Sequence, residues 1–192
     1  GQVFFISNDG KYLVQGDVYN IPEKTSITSH ALAAFRMEGL KKLPLDKRLV
    51  FAPPHPKHTV TVFTDVDCPY CRQFHKQIAA YNQAGIAVQY VLFPLSIHPG
   101  ADKKAVAVWC SKDRNAAYTA AMNGQDPGKL TCVNPVAETT AFGLKIGINA
   151  TPTILSENGT QVNGSYASDP KLFLAELDKI EGTVAKTPVA AK

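Results

Sequence analysis

Residues 58–71 have the sequence HTVTVFTDVDCPYC, in which a run of β-branched and apolar residues leads into two cysteines that are separated by two residues. The run over residues 58–64 predicts a strand that is buried on both faces of a sheet. Pro69 predicts the first turn of a helix, because the N–H that proline lacks has no partner at that position. The stretch therefore predicts a strand, a short turn and a helix that begins beside Cys68.

The position of Cys68 predicts a reactive thiol. The first N–H groups of a helix are unpaired and carry partial positive charge, which favours the thiolate, and the thiolate is the form that attacks a disulfide. We therefore expect Cys68 to attack a substrate disulfide and Cys71 to resolve the mixed disulfide that forms. Asp65 and Asp67 oppose this effect, since negative charge near Cys68 disfavours its thiolate. The sequence does not decide which effect is larger.

Other uses of a C-x-x-C pair fit the sequence less well. A four-cysteine zinc site needs a second close pair, whereas Cys110 and Cys132 stand far apart in the sequence. Haem attachment needs a histidine directly after Cys71, and Arg72 occupies that position. An inert structural disulfide is the remaining alternative. We predict a redox-active pair that uses no metal and no cofactor.

The five histidines do not form a predicted metal site. His55 and His58 lie in a proline-rich boundary segment, where solvated side chains are expected. His75 lies on the same side of the predicted helix as the cysteines, and we expect it to be packed or exposed, with tuning of the thiols as the alternative. No role is predicted for His98.

The rest of the chain predicts an α/β fold. A helix over residues 69–83 is followed by a strand over residues 86–93, and this strand–helix–strand unit predicts two parallel strands with a right-handed crossover. Residues 100–147 are mostly helical in pattern. Two strands within residues 153–162 and a helix over about 170–180 complete a mixed sheet with helices on both faces.

The chain divides into four predicted segments. A hairpin is predicted from the apolar runs on either side of the turn signal Asn8-Asp9-Gly10, and since a lone hairpin is marginal in water we expect it to need a partner. The segments are the hairpin at residues 1–22, a linker helix at 23–50, the main α/β domain at 51–181 with a helical insertion at 94–147, and a mobile tail at 182–192.

Composition places the chain among globular proteins. The 192 residues are 45% hydrophobic, and the net charge of +4 comes from 20 basic and 16 acidic residues that are scattered along the chain. No basic block indicates nucleic-acid binding, and no apolar run approaches the ~18 residues of a membrane span. The four cysteines suit an oxidising compartment. Because the chain starts at Gly1 without a leader, we expect a mature or trimmed product.

Motifs spread over most of the chain resemble those of the thioredoxin superfamily. The motif Cys68-Pro69-Tyr70-Cys71 follows the strand residues Val62-Phe63-Thr64-Asp65, and Ala150-Thr151-Pro152-Thr153 comes much later. More narrowly, the chain resembles the periplasmic disulfide isomerases of the DsbC/DsbG type. The segments that carry this narrower match are FISNDGKYL at residues 5–13, residues 60–71, WCSKD at 109–113, Cys132, and residues 147–152.

The resemblance implies further site residues and a second disulfide. It implies a cis peptide bond before a proline that faces the cysteine pair, with the preceding threonine tuning substrate release. It also implies a structural disulfide in the helical insertion, which the chain-entropy treatment values at roughly 3 kcal/mol for a loop of this size. The residues concerned are Pro69, Tyr70, Thr151 and Pro152 around the site, and Cys110 with Cys132 in the structural disulfide.

The resemblance also implies a linker helix and an N-terminal domain that forms a V-shaped homodimer. This chain has only the last hairpin of such a domain, so the homodimer is predicted for the full-length form. The short N-terminal segment is one departure from the family's pattern, and the active-site dipeptide is another. The internal Pro69-Tyr70 pair resembles that of glutaredoxins, so the redox potential is not carried over. Thioredoxins have a buried aspartate six residues before the first cysteine, where this chain has Val62.

We therefore predict a disulfide isomerase of the bacterial periplasm that acts on unfolded or misoxidised secreted proteins. The site must be kept reduced, and the resemblance implies a membrane electron donor of the DsbD type. A disulfide oxidase using the same cysteines is the nearest alternative, and a cytosolic-type reductase is a weaker one. A chaperone-like binder of unfolded chains is the alternative from another class; it would keep its activity after Cys68→Ser.

Overall fold

The computed structural model describes residues 3–184 of the chain, and its N-terminal part is built from two small strand pairs and a helix. Strand β1 (Phe4–Ile6) pairs antiparallel with β2 (Leu13–Gln15), and β3 (Tyr19–Asn20) pairs with β4 (Thr25–Ser26). Helix α1 (Ile27–Lys41) follows. Both strand pairs are separate from the main sheet. That residues 1–22 are part of a dimerisation domain stays a prediction.

Five strands form the main sheet: β5 (Leu49–Phe51), β6 (His58–Thr64), β7 (Ile86–Leu92), β8 (Thr153–Leu155) and β9 (Gln161–Val162). Their order is β5-β7-β6-β8-β9. Strands β6 and β7 run parallel, and the other neighbours are antiparallel. The predicted mixed sheet is confirmed, with β6, the strand that leads to the cysteines, at its centre.

Helices cover both faces of this sheet. Val62 and Phe63 are neighbours on β6, yet they belong to different core clusters, because successive side chains of a strand point to opposite faces. Val62 shares its cluster with Phe74 and Phe173, whereas the Phe63 ring stacks on Phe142 at 6.3 Å between ring centroids. The helices are α2 (Pro69–His75), α3 (Ile78–Gln83), α4 (Ala101–Trp109), α5 (Arg114–Met122), α6 (Val136–Lys145) and α7 (Pro170–Val184).

The main sheet begins earlier in the chain than we predicted. We placed the linker at residues 23–50 and the first strand at His58, but β5 lies within the predicted linker and pairs with β7, with Leu49 opposite Tyr90. Leu49 is buried. A strand of three residues is too short to show a periodic pattern, and pairing with β7 is what stabilises it. The prolines at residues 53–56 follow this edge strand.

The helix predicted over residues 69–83 is two helices. The chain tightens between α2 and α3, where the Gln77 N–H bonds to the Phe74 carbonyl three residues back. The Gln77 side chain donates to the Ser168 carbonyl at 2.7 Å, which holds this turn against the C-terminal part of the domain. Both helices bury the same side, so the apolar pattern of the sequence continues across the break.

The last helix is longer than predicted. We placed a mobile tail at residues 182–192, but α7 continues to Val184. Gly182 does not take the positive φ that commonly ends a helix at glycine. The rest of the predicted tail lies outside the described residues. Within residues 3–184, none of the helices is both long enough and apolar enough to cross a membrane.

Helix α1 is held against the α/β domain by two arginines. The Arg48 guanidinium donates to the carbonyls of Leu40 and Leu43, at 2.8 and 2.6 Å, and so binds the end of α1 to the sheet. The buried Arg36 donates to the Ile146 carbonyl at 3.4 Å. The helix predicted as a linker is therefore packed on the domain that follows it.

Candidate active site

Cys68 is the N-cap residue of α2, directly after the turn that leaves β6. Its N–H bonds to the Asp65 carbonyl at 3.2 Å, and its own carbonyl accepts from the Arg72 N–H at 3.1 Å. Pro69 occupies the first helical position. The sequence folds this way because proline suits the first turn and the strand before it is buried on both faces.

The surroundings of Cys68 favour its thiolate. Hydrogen bonds from the Cys71 side chain and from the backbone N–H groups of Cys71 and Tyr70 lower the pKa of Cys68 to about 5, against the opposing effect of burial. The hydrogen bond from Cys71 is the largest of these effects, and the backbone N–H groups at the helix start, which the sequence predicted to favour the thiolate, add to it. Cys68 and Cys71 are both free cysteines in the structure.

Cys71 has the opposite character. It is 1% exposed, and burial is the main reason that the pKa of its thiol is raised far above the ordinary value. The Cys68 sulfur raises that pKa further, while the Asp65 backbone N–H and the Thr64 hydroxyl lower it. At neutral pH the pair therefore holds one thiolate, on Cys68, and one thiol, on Cys71.

Thr151 and Pro152 face the cysteine pair from the loop before β8. The peptide bond between them is cis. The Cys68 sulfur lies 3.2 Å from the Thr151 carbonyl oxygen, to which it can donate only in its thiol form, and this places the loop directly against the sulfur. The structure thus brings Cys68, Cys71, Thr151 and Pro152 together from two parts of the chain.

A cavity of about 350 Å³ opens beside the cysteine pair. Tyr70, which is 72% exposed, forms part of its wall with Pro152. Apolar side chains and polar ones both line the rest, the apolar ones being Phe74, Ile154 and Ala167 and the polar ones Gln73, Gln77, Ser165 and Ser168. An apolar side chain of a substrate would be withdrawn from water there.

The Asp67 carboxylate is paired with two cations. Arg72 donates to it at 3.1 Å, and Lys104 of α4 donates to its two oxygens at 2.8 and 2.9 Å. Arg72 also donates from Nε to the Val66 carbonyl at 2.9 Å. This pairing explains why the carboxylate does not suppress the Cys68 thiolate, a balance that the sequence left open.

The Asp65 carboxylate is buried and fully occupied by donors. It accepts from the Asp67 N–H at 2.8 Å, from the Leu95 N–H at 2.7 Å and from His98 Nδ1 at 2.8 Å. The hydrogen bond to Asp65 raises the pKa of His98. Sequence reasoning missed the role of His98 in holding the turn before Cys68, because nothing in a local pattern links residue 98 to residue 65.

Cys110 and Cys132 form the second cysteine pair, in the helical insertion. They are joined by a disulfide with an S–S distance of 2.04 Å, which connects the end of α4 to the loop before α6. Trp109 beside it is buried, and the Arg114 guanidinium stacks on its ring at 4.0 Å. The disulfide thus closes a loop within the helical insertion that contains α5.

Two histidines are buried, and one of them corrects a prediction. His58 was predicted to be solvated, but it is the first residue of β6 and is 5% exposed, with Nε2 paired to Asp178 Oδ1 of α7 at 2.6 Å. His75 is packed as expected, with hydrogen bonds to Tyr90 and Thr119. Among the described residues, no group of three or more His, Cys, Asp and Glu side chains could hold a metal ion.

Comparison with known proteins gives relatives across nearly the whole chain. Residues 45–181 match the family of thioredoxin-like domains. The chain is 38% identical over 179 residues to the thiol:disulfide interchange protein DsbC of Dickeya dadantii (strain 3937), covering 92% of this chain and 72% of that protein. It is 34% identical over 181 residues to DsbC of Escherichia coli (strain K12), covering 93% and 75%.

A solved structure of similar fold is also a disulfide interchange protein. The disulfide interchange protein from Neisseria gonorrhoeae is 35% identical and superposes with a TM-score of 0.61, covering 71% of this chain and 96% of that one. The fold and the cysteine pair define the class as thioredoxin-fold thiol–disulfide oxidoreductases. Within that class, the chain belongs to the DsbC family of thiol:disulfide interchange proteins.

Proposed function

We propose that this protein isomerises wrong disulfides in secreted proteins, with Cys68 as the nucleophile and Cys71 as the resolving thiol. The Cys68 thiolate attacks a client disulfide, forms a mixed disulfide and releases one client sulfur as a thiolate. That client thiolate, or Cys71, then attacks the mixed disulfide and restores either the reduced enzyme or the Cys68–Cys71 disulfide. No metal or cofactor takes part.

The observation that carries this proposal is the difference between the two thiols. A pKa of about 5 keeps Cys68 as thiolate at neutral pH, whereas burial keeps Cys71 protonated. An attacking thiol must be ionised, and a resolving thiol must not compete with it. The cavity beside Tyr70 and Pro152 supports binding of unfolded segments, since its lining is largely apolar.

The relatives are named thiol:disulfide interchange proteins, which supports the chemistry, and the structural disulfide is typical of an oxidising compartment. We infer that the mature protein works in the periplasm on misoxidised clients, and that a membrane donor of the DsbD type returns Cys68 and Cys71 to the reduced state. The homodimer proposed for the full-length form rests on the resemblance alone. No nucleic acid is a proposed partner.

A disulfide oxidase is the second candidate, and the same pKa favours it. Stabilising the Cys68 thiolate stabilises the reduced pair, which makes the Cys68–Cys71 disulfide a stronger oxidant. The chaperone-like alternative has no observation of its own, since the same cavity serves a redox enzyme equally well.

Reactivation of scrambled ribonuclease by catalytic amounts of the protein tests the proposal. We expect reactivation by the reduced protein and none by the Cys68→Ser variant. A form with the whole N-terminal domain tests whether dimerisation raises the rate. If the protein oxidises reduced ribonuclease but does not reactivate the scrambled form, the oxidase is the correct function. Activity that survives Cys68→Ser would favour the chaperone-like binder.

A further inference from the structure

His75 is a buried titratable residue at the end of α2, and the proposed redox chemistry does not use it. It is 3% exposed and lies one helical turn after Cys71, on the same buried side of the helix. Its Nδ1 lies 3.0 Å from the Tyr90 hydroxyl of β7, and its Nε2 lies 2.9 Å from the Thr119 hydroxyl of α5. One imidazole therefore connects the helix that carries both cysteines to the sheet and to the helical insertion.

Helix α2 depends on such connections because it is short. It has seven residues, and a helix of that length has little stability of its own, so contacts with other elements hold it in place. At its beginning, the Cys68 N–H bonds to the Asp65 carbonyl. At its end, the two hydrogen bonds of His75 fix the helix against β7 and α5.

The number of donors fixes where the His75 proton lies. Tyr90 is 1% exposed, and among residues 3–184 its hydroxyl has no hydrogen-bond partner other than His75. An unpaired buried donor is costly, so the Tyr90 hydroxyl must donate to Nδ1. The proton of the neutral imidazole is then on Nε2, which donates to the Thr119 hydroxyl. The neutral ring thus satisfies both of its own nitrogens and the Tyr90 phenol.

A second proton on the imidazole does not fit this arrangement. It would place an N–H on Nδ1 opposite the O–H of Tyr90, and one of these two buried donors would then lack an acceptor. The histidines that form ion pairs in the described part of the chain are His58 and His98, so no carboxylate there offsets a charge on His75. Burial accordingly lowers the pKa of His75 to about 4.

The titratable groups packed against His75 are uncharged at neutral pH. They are Cys71 of its own helix, Tyr90 of β7 and Tyr118 of α5, whose ring centroid lies 4.9 Å from that of His75. Burial raises the pKa of all three. Strand β5 contributes the apolar ring of Phe51, at 5.1 Å between ring centroids. These neighbours therefore supply no charge that would stabilise an imidazolium.

We propose that His75 is a pH-sensitive switch whose neutral imidazole holds the end of α2 against β7 and α5 and whose protonation releases it. Because α2 carries both cysteines, the switch makes the position of the cysteine pair depend on pH. In the released or unfolded chain the pKa of histidine is ~6.5. The stabilising effect of His75 is therefore complete above pH 6.5 and is lost progressively as the pH falls towards 4.

Nuclear magnetic resonance of the imidazole nitrogens tests the protonation state directly. In the wild-type protein we expect the proton of His75 on Nε2 at pH 7, and a titration midpoint near pH 4 rather than ~6.5. The variant His75→Leu assigns the signal by its loss. A proton on Nδ1, or a midpoint at or above the ordinary value, would overturn the inference.

Denaturant unfolding and amide hydrogen exchange test the connection to α2. Between pH 7 and pH 5, the unfolding equilibrium constant should increase about 20-fold more in the wild-type protein than in His75→Leu, because the unfolded chain alone binds the proton. Exchange of the amides of residues 71–75, corrected for the intrinsic effect of pH, should show the same additional opening. The control Tyr81→Phe loses a buried hydroxyl that bonds the Ala167 carbonyl, and it should keep the wild-type pH dependence.

The variant Tyr90→Phe separates the switch from burial alone and keeps the imidazole in place. Without the phenol, a proton on Nδ1 no longer meets a second donor, so the titration midpoint of His75 should rise by about one unit, whereas Tyr81→Phe should leave it unchanged. An unchanged midpoint in Tyr90→Phe would overturn the inference, as would α2 amides that open equally at pH 7 and pH 5 in the wild-type protein. None of these measurements depends on whether the protein is an isomerase or an oxidase.

Discussion

One cysteine pair of this protein is reduced and the other forms a disulfide. Burial does not explain why the first pair is the reduced one. Cys68 and Cys71 are both buried and are free thiols, whereas the disulfide of Cys110 and Cys132 joins a half-buried sulfur to an exposed residue. The first pair lies at a helix start among hydrogen-bond donors, and the second closes a long loop of the insertion. Whether a cysteine is reactive or structural therefore depends on the polar groups that face its sulfur and on its place in the fold.

The strongest test of this comparison is the reactivity of the individual cysteines. In the reduced native protein at neutral pH, we expect iodoacetamide to label Cys68 at least ~100-fold faster than Cys71, because thiolate is the reacting form. Cys110 and Cys132 should stay unlabelled when reduction is mild enough to leave their disulfide intact. Mass mapping of the labelled peptides measures this, and equal labelling of Cys68 and Cys71 would contradict the assigned pKa order.

Removing the second pair should affect stability and leave the chemistry unchanged. The double variant Cys110→Ala/Cys132→Ala should lower the free energy of unfolding by about 3 kcal/mol, since the disulfide restricts the unfolded chain. Denaturant unfolding measures the change, with the alkylation rate of Cys68 as the matched readout. A loss of Cys68 reactivity in the folded variant would mean that the two pairs are coupled.

The pH dependence of Cys68 tests the source of its reactivity. Its alkylation rate should be level above pH 5 and fall tenfold per pH unit below it, because protonation removes the thiolate. The hydrogen bond from Cys71 is the largest cause of the lowered pKa, so Cys71→Ala should raise the midpoint by roughly one to two units. If the midpoint pH of Cys68 alkylation is unchanged in Cys71→Ala, the helix start lowers the pKa of Cys68 instead.

A smaller effect is expected from the cations around Asp67. Lys104→Met removes one of its two partners, which leaves more negative charge beside Cys68 and should raise the midpoint of Cys68 by less than about one unit. Lys103→Met, at an exposed position on the same helix, is the control. The shift should shrink at high salt, since the group is partly exposed. A midpoint lowered in Lys104→Met would show that the carboxylate supports the thiolate.

Much of the fold followed from the sequence because its main elements are long or strongly patterned. Strands β6 and β7, with seven residues each, were predicted from runs of β-branched and apolar residues. Strand β5 was not, since three residues carry no period and depend on pairing with β7. The break at Gln77 was hidden because α2 and α3 bury the same side, and the burial of His58 depends on Asp178 of a distant helix.

The active site also has features that the sequence predicted and features that it did not. Cys68, Cys71 and Pro69 were predicted from local residues, whereas the cis bond at Pro152 and the Cys110–Cys132 pairing were predicted through the resemblance; the structure contains both features. The groups that tune the thiols were not predicted. Lys104 on Asp67, and His98 with Leu95 on Asp65, are brought in from residues about thirty or more positions away in the chain.

The sequence by itself determined a buried strand, a cysteine at a helix start and a valine where thioredoxins have their buried aspartate. These are properties of neighbouring residues, which fix backbone conformation and the period of burial. Only the tertiary structure decided that Asp67 is paired with two cations, that Asp65 is enclosed by donors and that the Thr64 hydroxyl meets the Tyr118 phenol. Such pairs form because helices and strands that are distant in the chain pack together, and a local pattern carries no record of that arrangement.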